Sequence, residues 1–203
     1  MRKLFSYIGA LCLLLAPSHT LASHISGGGR NPPKSLSEKQ VIVLKKITSY
    51  LRVKYPKEDP VEIVAIAMVE TNLKEGLVSH TGDYGVLQVN CKIHAKRLAK
   101  ELGLKNCRKD MFILEHNIDA AILILNRFRK YRACRKTNLY SCYNGGQGWR
   151  IVSQKCRVQH CRNQDCRKCN RPARYASSAK KHIRFLKKKY SHLFIAEARS
   201  MER

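Results

Sequence analysis

The stretch from Asp59 to Asn72, DPVEIVAIAMVETN, decides the fold class because it predicts a helix that belongs in a protein core. Asp59 can cap this helix, and Pro60 suits its first turn. The residues 61–69 are apolar nearly all round, which is typical of a buried helix rather than of an amphipathic surface helix. The apolar run ends at Glu70, so its carboxyl is expected where the core meets a polar loop.

Apolar residues at helical spacing predict further helices on both sides of this stretch. Ser35 and Glu38 have the spacing of a capping box, so the folded domain and its first helix are expected to begin near Ser35. The other expected helices cover 93–102, 110–131 and 172–194. Residues 73–90 contain glycines among polar residues and predict a long irregular or small β segment. The sequence therefore predicts a predominantly α single domain over 37–195.

The first 22 residues are typical of an export signal. Arg2 and Lys3 precede an apolar run that ends at Pro17, and small residues around Ala22 offer a cleavage point. The run is too short to span a membrane, which takes about 20 consecutive apolar residues, and no later run approaches that length. We therefore expect a periplasmic or secreted protein with no membrane span and with a flexible leader over 23–36.

The cysteines support the same expectation. The chain has nine, and one of them, Cys12, lies within the predicted signal. The even number that remains suits disulfides in an exported protein. The closely spaced cysteines of the segment 156–169, with His160 between them, would suit zinc in a cytosolic protein. Export favours disulfides that staple an irregular basic insertion, so we expect no metal and no other cofactor.

The net charge of +26 favours polyanionic partners, although a solvated basic surface would carry the same charge. Charge alone does not choose among cell-wall polymers, anionic lipid and nucleic acid. Export argues against nucleic acid, and no helix combines a basic face with the aromatic anchors of a membrane-surface helix. The charge therefore indicates a polyanionic partner, with cell wall that carries free carboxylates among the candidates, and does not by itself identify it.

Glu70 is the candidate general acid. Its position at the end of an apolar helix predicts desolvation, which raises the pKa of a carboxyl group. A glycosidase needs such a group, still protonated near neutral pH, to donate to the leaving glycosidic oxygen. The alternative is a glutamate that frays into solvent at a helix end.

Four stretches in order, AIAMVETN, SHTGDYGVLQVN, EHNIDAAILILNRF and YSCYNGG, resemble the successive blocks of the lysozyme-like soluble lytic transglycosylase family. The resemblance covers about 58–150. It implies a small α-rich fold with a groove for the glycan strands of peptidoglycan. It also implies cleavage of the bond between N-acetylmuramic acid and N-acetylglucosamine, without net hydrolysis, that leaves a 1,6-anhydromuramic end. Short exported relatives that are associated with secretion machinery add a cell-envelope or secretion apparatus as an implied partner.

The resemblance also implies roles for individual residues. It places the catalytic glutamate at Glu70, which would act alone as general acid and base. Gln88, at the end of the block that begins with Gly85, is then the expected glycan contact. Tyr143 is expected near Glu70 and a sugar ring, and Asn144 is expected to hold the turn that follows.

Asp83 is a departure from the family pattern and a candidate groove residue. The segment DYGVLQVN also resembles c-type lysozymes, in which an aspartate directly before Tyr-Gly is the second catalytic carboxylate. A muramidase that hydrolyses the same bond with Glu70 and Asp83 is therefore an alternative, and it requires carboxyl groups about 5 to 5.5 Å apart. Asp83 is equally suited to capping its own turn. A further alternative is a non-catalytic, basic, cystine-rich protein that binds cell wall.

Overall fold

The computed structural model of the chain describes residues 31–135, 138–160 and 169–195, with the backbone alone at 155 and 157–160. Its α-helices are α1 Glu38–Lys54, α2 Pro60–Thr71, α3 Cys91–Leu102, α4 Cys107–Asp110, α5 Leu114–Lys130, α6 Leu139–Gly145, α7 Trp149–His160, α8 Arg171–Lys189 and α9 Ser191–Ile195. Two short strands, β1 Asp83–Tyr84 and β2 Val89–Asn90, pair antiparallel. The described chain is therefore mostly helical with a small β element, as the sequence predicts. The predicted export signal, most of the predicted leader, and two cysteines of the Cys-rich segment, Cys161 and Cys166, lie outside the described residues.

Helix α2 is the central helix of the fold. The Asp59 side chain accepts a hydrogen bond from the Val61 amide and caps the helix, and Pro60 occupies the first turn. Nearly all of the residues that follow are buried, and the helix packs against α1 and α8. An apolar helix gains most from burial on every side, because water is then excluded from all of its apolar surface.

The start of α1 differs from the sequence prediction. The capping box is formed by Ser37 and Gln40, so the predicted pair Ser35 and Glu38 was wrong. Both pairs have the required spacing, and the later pair prevails because of a tertiary contact. The Gln40 side chain accepts from the Ser37 amide at 2.8 Å and also donates to the Asn72 carbonyl at 3.0 Å.

Two of the predicted helices are divided in the structure. The helix expected over 110–131 is α4 followed, after a turn at 111–113, by α5. The helix expected over 172–194 ends at Lys189 and resumes at Ser191. The Tyr190 hydroxyl accepts a hydrogen bond from the Leu36 amide at 2.7 Å, so the break coincides with a contact to the N-terminal segment.

Among the described residues, three disulfides join elements that are close in the sequence. They pair Cys91 with Cys107, Cys134 with Cys142, and Cys156 with Cys169. Six of the eight cysteines expected to form disulfides are therefore paired, and the other two lie outside the described residues. Cys156 lies in α7, a helix that the sequence analysis did not predict, so the Cys-rich segment begins as a helix rather than as an irregular insertion.

Two features are absent from the described residues, a metal-binding cluster and a membrane-spanning helix. No group of histidine, cysteine and acidic side chains among them is arranged to hold a metal ion. No helix in the same part of the chain has both the length and the apolar character that a membrane crossing requires.

Candidate active site

Glu70 lies in the last turn of α2, where the core of the protein meets the β element. Its side chain is buried, with 5% of the residue exposed. Burial raises its pKa to about 8, and the negative charge of Asp83 contributes in the same direction. The nearby hydroxyl of Tyr175 and the positive charge of Arg171 oppose this rise. Glu70 is therefore a carboxylic acid that keeps its proton at neutral pH, as its position in the sequence predicts.

Thr71 connects the helix of Glu70 to the loop 85–88. Its hydroxyl lies 2.9 Å from the Val86 carbonyl and 3.1 Å from the Ala67 carbonyl, and both are buried hydrogen bonds. A hydroxyl has a single proton, so Thr71 donates to one of these carbonyls at a time. The bond to the Val86 carbonyl joins the end of α2 to the loop, whereas the bond to Ala67 lies within α2.

The loop itself has a backbone that few side chains permit. Gly85 has a φ of +77°, and a Cβ at this position would lie 2.3 Å from the Met111 carbonyl oxygen. Gln88 also has a positive φ, of 50°. Its Nε2 donates to the Gly85 carbonyl at 2.8 Å and to the Leu77 carbonyl at 3.3 Å. The structure thus places Gln88 half-buried beside the site, with its amide nitrogen bonded to backbone carbonyls of its own segment.

Asn117, to which the sequence analysis assigned no role, holds this loop from the side of α5. Its Oδ1 accepts a hydrogen bond from the Leu87 amide at 2.8 Å, and its Nδ2 donates to the Tyr84 carbonyl at 2.9 Å. The side chain is 1% exposed, so both bonds lie in the protein interior. A signal was present in the sequence, because Asn117 shares a helical face with the apolar Leu114 and Ala121.

Tyr143 in α6 reaches the same loop from a third direction. Its hydroxyl donates to the Leu87 carbonyl at 2.7 Å. Burial raises the pKa of Tyr143 well above 10, and the charges of Glu70 and Asp83 raise it further. Tyr143 therefore remains a hydrogen-bond donor, in electrostatic contact with both carboxyl groups. Asn144 follows it, half-buried, in the last turn of α6.

Asp83 is held within its own hairpin. Its Oδ2 accepts hydrogen bonds from Ser79 at 2.8 Å and Thr81 at 2.6 Å, and its Oδ1 accepts one from the Asn90 side chain at 2.5 Å. These bonds are those of a residue that holds a turn. Its charge nevertheless raises the pKa of Glu70, so the two carboxyl groups belong to one electrostatic environment.

Tyr175 in α8 is a second residue to which the sequence analysis gave no role in the site. Its buried hydroxyl favours the ionised form of Glu70, although it does not complete a hydrogen bond of full geometry with any of the described residues. Burial, the largest cause, and the charge of Glu70 raise the pKa of Tyr175 well above 10, which keeps the hydroxyl protonated. Tyr175 and Glu70 lie far apart in the sequence, so no local sequence pattern could link them.

A helical domain that presents a buried, protonated carboxyl beside a second carboxylate has the arrangement of a lysozyme-like glycosidase. The transglycosylase SLT domain family matches residues 52–164, and the chain belongs to this family. The match includes Glu70, Asp83 and the 143–144 pair, and it confirms the resemblance that the four sequence blocks indicate. The SLT domain is lysozyme-like and implies a lytic transglycosylase that acts on peptidoglycan. No curated protein matches the chain.

Proposed function

We propose that the protein cleaves the β-1,4 bond between N-acetylmuramic acid and N-acetylglucosamine and forms a 1,6-anhydromuramic end, with Glu70 as the single general acid and base. The observation that carries this proposal is the burial of Glu70, which raises its pKa to about 8. A group with a pKa near the working pH can both give up and recover a proton, and the reaction requires both steps.

In the first step the Glu70 carboxyl protonates the oxygen of the glycosidic bond as that bond breaks. In the second step, the Glu70 carboxylate takes the proton of the muramic acid C6 hydroxyl, and the oxygen of that hydroxyl forms a bond to C1. The second step returns Glu70 to its protonated form, so no water is consumed. The oxocarbenium-like transition state between the steps is stabilised by oriented dipoles around the site.

The surrounding residues support this use of one carboxyl group. Asp83 has both oxygens occupied by bonds within its hairpin, which favours an electrostatic role in the groove over a nucleophilic one. Gln88 is proposed to contact the glycan through the part of its amide that its own loop does not use. Tyr143 is proposed to line the groove beside Glu70, and Asn144 to hold the turn behind it.

A muramidase remains the second candidate function, because the charge of Asp83 reaches Glu70. In that reaction Asp83 would support a hydrolytic route to reducing ends.

The proposed cellular setting is the same for both functions. We propose a periplasmic or secreted protein with peptidoglycan and a cell-envelope or secretion apparatus as partners. The three disulfides among the described residues support export.

The test is mass spectrometry of the sugar fragments released from purified peptidoglycan by the protein without its predicted signal. Anhydromuramic ends are expected, and reducing ends would instead establish the muramidase and give Asp83 the larger role.

Glu70→Gln is expected to release no fragments while it stays folded. The matched control is Glu101→Gln, an exposed carboxyl in α3 that should leave the product pattern unchanged. Near-normal cleavage by folded Glu70→Gln would contradict the proposal, and binding without cleavage by the unmodified protein would favour a wall-binding protein.

A further inference from the structure

Helix α8 has an unusual charge distribution. Its sequence, RPARYASSAKKHIRFLKKK, contains eight lysines and arginines and no acidic residue. Most of these cations lie in its second half. The proposed reaction uses none of them, apart from the charge of Arg171 near Glu70.

The two faces of α8 serve different environments. At 3.6 residues per turn, Lys180, Arg184, Lys187 and Lys188 fall within an arc of about 100°. All four are exposed, and we call them the basic stripe. Tyr175 points to roughly the opposite side of the helix and is buried against the site of Glu70. The basic stripe therefore faces away from the glycan that Glu70 would cleave.

Some cations elsewhere in the fold have acidic partners, whereas the four residues of the basic stripe have none among the described residues. Ion pairs join Lys46 to Glu75, Lys54 to Asp119, Arg97 to Glu101 and Arg129 to Glu58. Within the described ranges, no carboxylate lies in ion-pair distance of the four stripe residues. Their mutual repulsion costs free energy that a polyanion would remove.

Two neighbouring lysines of α8 have a different role. The Lys181 ammonium donates to the Asn31 side chain at 2.9 Å, and the Lys189 ammonium donates to the Lys34 carbonyl at 2.7 Å. They hold the segment 31–34 along the helix. Lys181 and Lys189 therefore contribute to the fold, whereas the four residues of the basic stripe face solvent and make no ion pair with the described residues.

We propose that the basic stripe binds the carboxylates of a second, neighbouring peptidoglycan strand while the first strand lies at Glu70. The inference rests on the proposed function, because the partner is a second strand of the same carboxylate-bearing peptidoglycan that Glu70 would cleave. Lys180 and Lys188 are about 12 Å apart along the helix axis, so the stripe matches a polymer with repeated charges better than a single small anion. Each exposed contact is weak in salt, and several contacts to one polymer add up to useful avidity.

Because the basic stripe faces away from Glu70, we expect it to affect binding to insoluble cell wall and not the rate of the cleavage step. The test replaces Lys180, Arg184, Lys187 and Lys188 with glutamine. The control replaces four exposed lysines in and just after α3, Lys92, Lys96, Lys100 and Lys105, and changes the net charge equally. Both sets are also made with Glu70→Gln, so that binding to insoluble peptidoglycan can be measured by co-sedimentation without cleavage.

We expect the stripe variant to bind insoluble peptidoglycan about tenfold more weakly than the α3 control, as loss of several cooperating contacts implies. The difference should shrink as salt is raised, because exposed charges are screened. Peptidoglycan whose carboxylates have been converted to neutral amides should bind both variants equally. With Glu70 intact, both variants should cleave a short soluble glycan at about the unmodified rate, since the stripe is remote from Glu70.

Equal weakening in both variants would overturn the proposal, because net charge and not the stripe would then explain binding. An undiminished affinity of the stripe variant would overturn it too, as would a stripe-dependent difference that persists on amidated peptidoglycan or is seen only with anionic lipid vesicles. Failure of the proposed function has a separate signature. It would appear as no cleavage of the soluble glycan by the unmodified protein, whatever the binding results.

Discussion

The Tyr143 hydroxyl lies 2.7 Å from the Leu87 carbonyl and donates a hydrogen bond to it, across 56 positions of the sequence. The Thr71 hydroxyl in α2 contacts the Val86 carbonyl of the same loop, and Asn117 in α5 accepts a hydrogen bond from the Leu87 amide and donates one to the adjacent Tyr84 carbonyl. Three helices therefore hold one short loop beside Glu70. A loop fixed in this way can present the half-buried Gln88 to a ligand without paying to order its backbone at each binding event.

Removing the Tyr143 hydroxyl should therefore weaken both the fold and the site. Tyr143→Phe leaves the Leu87 carbonyl without its donor, and we expect a loss of about 1–3 kcal/mol in the free energy of unfolding. Urea denaturation measures the stability, and fragment release from peptidoglycan measures the activity. Tyr131→Phe is the control, because it removes only a longer bond, of 3.3 Å, from the Arg127 side chain. Equal losses in the two variants would contradict a special role for Tyr143.

The close approach at Gly85 predicts a difference between two glycines with similar backbone angles. Gly85 and Gly76 have φ values of +77° and +74°, so alanine is strained at both. Only at Gly85 would the new Cβ meet another group, at 2.3 Å from the Met111 carbonyl oxygen, whereas the space at Gly76 is open. We expect Gly76→Ala to cost roughly 1 kcal/mol from backbone strain alone. Gly85→Ala should cost distinctly more and abolish cleavage, as thermal unfolding and fragment release would show. Equal melting temperatures would mean that the loop can move away from Met111.

The raised pKa of Glu70 predicts a pH-dependent cost to stability. The folded-state pKa is about 8, against an ordinary value of 4.5, so the folded state holds the proton more tightly than the unfolded state. The free energy of unfolding therefore falls as pH rises from about 4.5 through 8, by up to about 1.4 kcal/mol for each unit of pKa difference. Glu70→Gln removes this cost.

We expect Glu70→Gln to stabilise the protein more at pH 8.5 than at pH 5, as measured by urea denaturation at the two values. Comparison with the unmodified protein at each pH cancels the contributions of other titrating groups. The same measurements on Glu101→Gln, which removes an exposed carboxyl remote from the core, are the control. A stabilisation that does not change with pH would contradict the raised pKa.

The influence of Asp83 on Glu70 predicts a shift in the pH dependence of activity. The acid form of Glu70 is needed to protonate the leaving oxygen, so kcat/KM should fall above about pH 8. Asp83→Asn removes a negative charge that raises the pKa of Glu70, and it should move this decline to lower pH while substantial activity remains. A complete loss of activity in folded Asp83→Asn would instead favour the muramidase mechanism.

Local patterns were enough to predict the central helix and the environment of its carboxyl group. The apolar residues of 61–69, the cap at Asp59 and the polar sequence after Glu70 all act within a few turns of one helix. Desolvation of Glu70 follows from that local arrangement, and the structure shows the raised pKa that it implies. Local patterns did not fix the start of α1, because Ser35 and Ser37 offer equivalent local signals and only the contact of Gln40 with Asn72 distinguishes them.

By itself, the sequence determined the helical class, the burial of α2 and the presence of disulfides, because periodicity, composition and cysteine number are properties of nearby residues. Only the tertiary structure decided which cysteines pair, that Asn117 and Tyr143 hold the loop, and that Tyr175 faces Glu70. It also decided that the basic stripe of α8 lies on the opposite side of the helix from Tyr175. Such relationships depend on how helices far apart in the chain pack together, since burial selects one arrangement of their faces that local patterns leave open.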